Sequence, residues 1–88
     1  MQAIWKMPLP ENGILELPDN AKILCVQVQN VIPCIWFINP NTESYGLQKR
    51  KIRIYGTGHG HEAINGKYIG TFQIQGGTFV YHVFEEVG

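Results

Sequence analysis

Cysteine, excess charge of either sign and long apolar runs are all scarce in this chain, and each scarcity removes a class of protein. No apolar stretch approaches the roughly 18 residues that a membrane-spanning helix needs. No charged-then-apolar leader is present either, so no membrane partner is expected. Seven Lys and Arg balance seven Asp and Glu, for a formal net charge of zero. Without a global field to draw a polyanion, stable nucleic-acid binding is not expected. Two cysteines, Cys25 and Cys34, are too few for the disulfide framework of a small secreted domain. They read as reduced, inert core thiols of a cytosolic protein. Helical periodicity is missing too: no window places apolar residues at i, i+3, i+4 and i+7 without a breaker. CxxC, HxxxH and GxxxxGK[ST] patterns are absent. No nucleophile–base or paired-carboxylate arrangement stands out, so neither an enzyme nor a cofactor is expected.

What remains is the composition of a small β domain. At 44% hydrophobic and 16% charged, the 88 residues can bury a core, which excludes disorder and fits one domain over 1–88. Aromatic and β-branched runs alternate with Gly, Pro and Asn. They predict seven strands: Gln2–Met7, Ile14–Leu17, Lys22–Gln29, Pro33–Ile38, Lys49–Tyr55, Lys67–Gln75 and Thr78–Glu85. The expected fold is all-β, a small antiparallel β-sandwich or barrel. In the third strand Leu24, Val26 and Val28 are expected to share a face. Gly76-Gly77 predicts a primed hairpin turn, because such turns need φ > 0. Registering on that turn pairs Ile74 with Phe79, Phe72 with Tyr81 and Gly70 with Val83 on an aromatic core face. The other face carries Gln73 with Val80, Thr71 with His82, and Ile69 with Phe84. It is too apolar for plain solvent, and Ile69, His82 and Phe84 read as an interface.

The sharpest candidate site is the fifth strand. A period of two projects Lys49, Lys51, Arg53 and Tyr55 from one face and aims Ile52 and Ile54 at the core. The strip runs into Gly56-Thr57-Gly58-His59-Gly60-His61, where glycines let backbone amides converge into an anion-holding nest. Phosphate suits such a pairing, with Tyr55 free to stack on a base and His59 donating a hydrogen bond. The plain alternative is an edge strand guarded by Lys and Arg. His59 and His61, with His82 or Glu62, could together hold a metal; a loop of turn formers explains them equally, and no metal site is expected. Tyr45, in the polar loop after Asn39-Pro40-Asn41, is a weaker stacking candidate.

Across most of its length the chain resembles a family of small proteins of tailed bacteriophages. The likeness is carried by Ile54-Tyr55-Gly56-Thr57-Gly58-His59, Tyr68-Ile69-Gly70-Thr71-Phe72-Gln73, Gly76-Gly77 and Phe79-Val80-Tyr81-His82-Val83-Phe84-Glu85. Ile4-Trp5-Lys6 and the run from Ala21 to Gln27 add to it. The resemblance implies a phage or prophage origin and a host-cytoplasm setting; it implies no activity. The expected function is a non-catalytic, homo-oligomeric binder that sequesters a phosphorylated small molecule, such as a cyclic nucleotide signal of host defence. A protein-binding inhibitor of a host defence enzyme or CRISPR complex is the first alternative. A virion or assembly accessory protein is the second.

Overall fold

The computed structural model describes residues 1–43 and 46–86. Seven strands follow one another: β1 (Ala3–Pro8), β2 (Ile14–Pro18), β3 (Lys22–Gln29), β4 (Ile32–Asn39), β5 (Leu47–Gly56), β6 (Lys67–Ile74) and β7 (Phe79–Glu85). They form two antiparallel sheets, ordered β1-β4-β3 and β2-β5-β7-β6. The sheets pack face to face with β3 against β6, so the expected sandwich or barrel is a sandwich.

Local chemistry explains the turns. Asn12 Oδ1 accepts the Ile14 amide at 2.9 Å, and Gly13 takes a positive φ of 75°. Asn20 holds φ 62° at the third position of the turn closed by Ala21 N–H on Pro18 C=O at 3.0 Å, a position that demands Gly or Asn. Gly76 and Gly77, at φ 65° and 93°, are the central residues of the β6–β7 turn closed by Thr78 N–H on Gln75 C=O. That is the primed geometry expected of them. The β3–β4 turn is less natural. Asn30 and Val31 sit at φ 50° and 63°, and a β-branched residue there is strained by about 1–3 kcal/mol.

Between the sheets lie Leu15, Leu17, Ala21, Val26, Ile35, Phe37, Ile52, Phe72 and Val83. Gly70 lets the sheets approach: a Cβ there would stand 2.9 Å from Val26 Cγ1. The β6–β7 pairs of Ile74 with Phe79, Gln73 with Val80, Phe72 with Tyr81, Thr71 with His82 and Gly70 with Val83 follow the expected register.

Several side chains depart from strict alternation. The register of β3 shifts between Ile23 and Cys25, so Leu24 is 41% exposed while Ile23 packs on the core. A second irregularity, between Tyr68 and Gly70, makes Ile69 the extra residue. Tyr68, not Ile69, therefore lies opposite Phe84, and Ile69 turns toward the core. At the end of β5 the expected burial is reversed: Ile54 is 43% exposed and Tyr55 only 5%. The cause is coverage. β2 reaches β5 no further than Lys51, leaving Ile54 uncovered, while the loop after β5 lays His61 over Tyr55.

Candidate functional site

The outward face of the β2-β5-β7-β6 sheet carries Lys49, Lys51, Arg53, Tyr55, His82 and Phe84, whereas Ile69 turns toward the core. Lys49, Lys51 and Arg53 project from β5 as period two requires, and all three are exposed. Their neighbours decide what each can do. Arg53 Nη1 donates to Glu86 Oε1 at 2.9 Å, and its guanidinium lies 5.6 Å from the Tyr55 ring centroid. Arg50, on the inward face, donates through Nε and Nη2 to both carboxylate oxygens of Glu85 and through Nη1 to Ala21 C=O. The hydrogen bond to Glu85 and that residue's negative charge hold the Arg50 pKa above its ordinary value, against the opposing effect of burial. Both arginines are thus neutralised within the chain.

The lysines are not. Lys49, Lys51 and Lys67 make no ion pair among the described residues. All three line one hollow of about 410 Å³, together with Gln48, Arg50, Glu85 and Glu86. It forms where β7 ends at Glu85, between the continuing β5 and the start of β6. Lys67 was missing from the sequence candidates because it lies on another strand, and only pairing of β6 with β7 brings it beside β5.

The glycine loop stands at the far end of β5. From Lys49 to Gly56 the strand rises about 23 Å, so a single phosphate cannot touch both the lysine hollow and the loop. Within the loop, Thr57 N–H donates to Val80 C=O at 3.0 Å and His59 N–H to Gly56 C=O at 3.3 Å. The second bond closes a turn in which Gly58 takes φ 82°. The Gly58, Gly60 and His61 amides make no hydrogen bond among the described residues. The exposed His59 ring lies against Gly56, where a Cβ would stand 2.6 Å from Nδ1. Tyr55, expected to stack on a ligand, is instead walled in edge-to-face by His61 at 4.7 Å and Phe84 at 5.6 Å between centroids. Tyr45 lies outside the described residues.

The exposed aromatic of this face is Tyr68, which meets Phe84 at 5.4 Å. Its hydroxyl begins a chain that the sequence did not reveal. Tyr68 OH lies 2.5 Å from Thr71 Oγ1, Thr71 Oγ1 3.0 Å from His82 Nδ1, and His82 Nε2 2.6 Å from Thr57 Oγ1. Thr57 Oγ1 also donates its only proton to Val80 C=O, at 3.1 Å. It must therefore accept from His82 Nε2–H, which leaves Nδ1 to accept from Thr71 and Thr71 to accept from Tyr68. With both ring nitrogens occupied, His82 of β7 ties β6 to the turn after β5 and has no lone pair free for a metal. Among the described residues no three His, Cys, Asp or Glu side chains lie close enough to share a metal ion. Cys34 is buried and Cys25 half-buried; both are free thiols. No helix is long and apolar enough to cross a membrane among the described residues.

No curated protein and no solved structure matches the chain. A family model described as a domain of unknown function, DUF7352, matches residues 1–88, and the chain belongs to that family.

Proposed function

We infer that the protein is a non-catalytic binding module for a phosphorylated small molecule of the nucleotide class. The observation that carries this reading is the meeting of Lys49, Lys51 and Lys67 at one hollow whose neighbouring arginines are already satisfied. Three lysines line a hollow whose two glutamates are held by Arg50 and Arg53, and with only Glu16, opposite Lys49 on β2, to offset them they leave net positive charge for an anion. Tyr68 and Phe84 offer an aromatic surface on the same sheet for a base, taking the role first expected of Tyr55. In the phage setting that the sequence resemblance implies, removal of a nucleotide signal of host defence is the use proposed for such a module.

Calorimetry with a cyclic dinucleotide, and with inorganic phosphate as the minimal probe, tests this. Saturable binding that the Lys51→Ala/Lys67→Ala double variant loses is the expected result. Absence of heat and of thermal stabilisation with both probes at millimolar concentration would overturn it.

A second reading is a module that caps a host defence protein through Tyr68 and Phe84. It is favoured by the exposure of Tyr68, 55%, beside Phe84 on an otherwise ordered face. Loss of a captured host protein on Phe84→Asp, but not on the Lys51→Ala/Lys67→Ala double variant, would select it over the nucleotide reading.

A further inference from the structure

Beside the lysine hollow the sandwich opens inward. β3 and β6 are edge strands of the two sheets that face each other, and they come closest where Val26 meets Gly70. Toward the starts of both strands they bound a second hollow, of about 380 Å³. Each strand carries an extra residue there: Leu24 where the β3 register shifts, and Ile69 where that of β6 shifts. A bulge bends its strand and re-aims a side chain. Both bulge residues line this hollow, and its volume falls in the range of small-molecule sites.

Its lining is amphipathic. Ile23 and Ile69 pack on the core while Leu24 is 41% exposed, and the three make an apolar wall. Lys22 and Lys67 line it too, and neither makes an ion pair among the described residues. Glu85 is clasped by Arg50, whose Nη1 also takes the Ala21 carbonyl. A bare anion would leave the apolar wall unmatched, and a hydrocarbon would leave the ammonium groups unmatched. A nucleoside joined to a phosphate matches both.

The way the two hollows connect indicates how many nucleosides are held. Arg50, Lys67 and Glu85 line both, so the hollows adjoin across one ion pair. Next to Lys67, Tyr68 turns to the outer face and meets Phe84, whereas Ile69 turns toward the core. A base on Tyr68 and a base against Ile69 therefore lie on opposite sides of β6, with Lys67 beside each. A mononucleotide fills one of these seats and leaves the other empty. A dinucleotide fills both.

We propose, resting on the nucleotide reading above, that the ligand is a dinucleotide. One nucleoside enters the hollow between the sheets, the phosphates lie on Lys67 and the lysines of β5, and the second base rests on Tyr68 and Phe84. Calorimetry with cyclic diadenylate, cyclic AMP and inorganic phosphate, together with methyl NMR, tests it. Cyclic diadenylate should bind about tenfold more tightly than cyclic AMP, the gain from one further base contact. It should shift the methyl resonances of Leu24 and Ile69, which phosphate should leave in place. Lys22→Ala, outside the lysine hollow, should weaken cyclic diadenylate about tenfold and leave phosphate binding unchanged. Equal affinity for the two nucleotides, or Leu24 and Ile69 methyls that stay still at saturation, overturns the dinucleotide. Phosphate binding that still depends on Lys51 and Lys67 would then keep the lysine hollow as an anion site. Absence of heat with all three probes overturns the nucleotide reading itself, and this inference with it.

Discussion

At the end where β7 stops, cations and carboxylates crowd together: Arg50 clasps Glu85, Arg53 meets Glu86, and three lysines ring a hollow. Between the two tight turns at the other end, a cleft is lined without a charged residue and valine stands in water. One sandwich therefore presents two surfaces that obey different physics. The first attracts an opposite charge and weakens as salt screens it. The second is non-directional and gains from water's exclusion. A small sheet can keep these properties apart because its longer strands, eight to ten residues in β3–β6, carry side chains to both ends, so a strand can be charged at one end and apolar at the other.

The largest effect expected is at the charged end. Arg50→Ala leaves Glu85 half-buried without its bidentate donor, and should cost about 2–3 kcal/mol in urea unfolding. A loss below about 0.5 kcal/mol would mean that the pair behaves as an exposed ion pair, and the charged end would then be held only by its strands.

Salt sharpens the contrast next. Raising sodium chloride tenfold from low ionic strength should weaken cyclic-dinucleotide binding by about tenfold, through screening of the lysine hollow. Calorimetry reads it, and binding that salt leaves unchanged would erase the distinction between the ends.

The smallest effect concerns the apolar turn. Val31→Gly relieves the left-handed strain but adds freedom to the unfolded chain, so the net gain should be about 0.5–1 kcal/mol. It should appear as a rise of a few degrees in Tm. A fall in Tm would show that the valine contributes to folding after all.

Much of the fold was legible because its determinants are local. Asn12-Gly13, Pro18-Asp19-Asn20 and Gly76-Gly77 each set a backbone reversal with their own side chains or lack of them, and the runs between them alternate with period two. The β6–β7 register followed from the turn alone as far as Gly70. Beyond that point an extra residue at Ile69 slipped the pairing, and no neighbour in the sequence announces it. The candidate site was legible in part. Lys49, Lys51 and Arg53 project outward as a strand requires, but the hydroxyl chain through His82 joins residues of two strands and of the turn after β5.

The sequence by itself determined an all-β chain, where it turns and which residues of β5 carry positive charge, because rotation about φ and the alternation of a strand are properties of a few adjacent residues. Only the tertiary structure decided which of those charges are already matched. Glu85 and Glu86 reach Arg50 and Arg53, and Lys67 reaches the lysine hollow, across more than a dozen intervening residues. The same holds for Tyr55 and Ile54, whose burial is reversed by a covering loop and a strand that ends too soon. Exposure and pairing depend on what arrives from elsewhere in the chain, and that is fixed only when the two sheets close on one another.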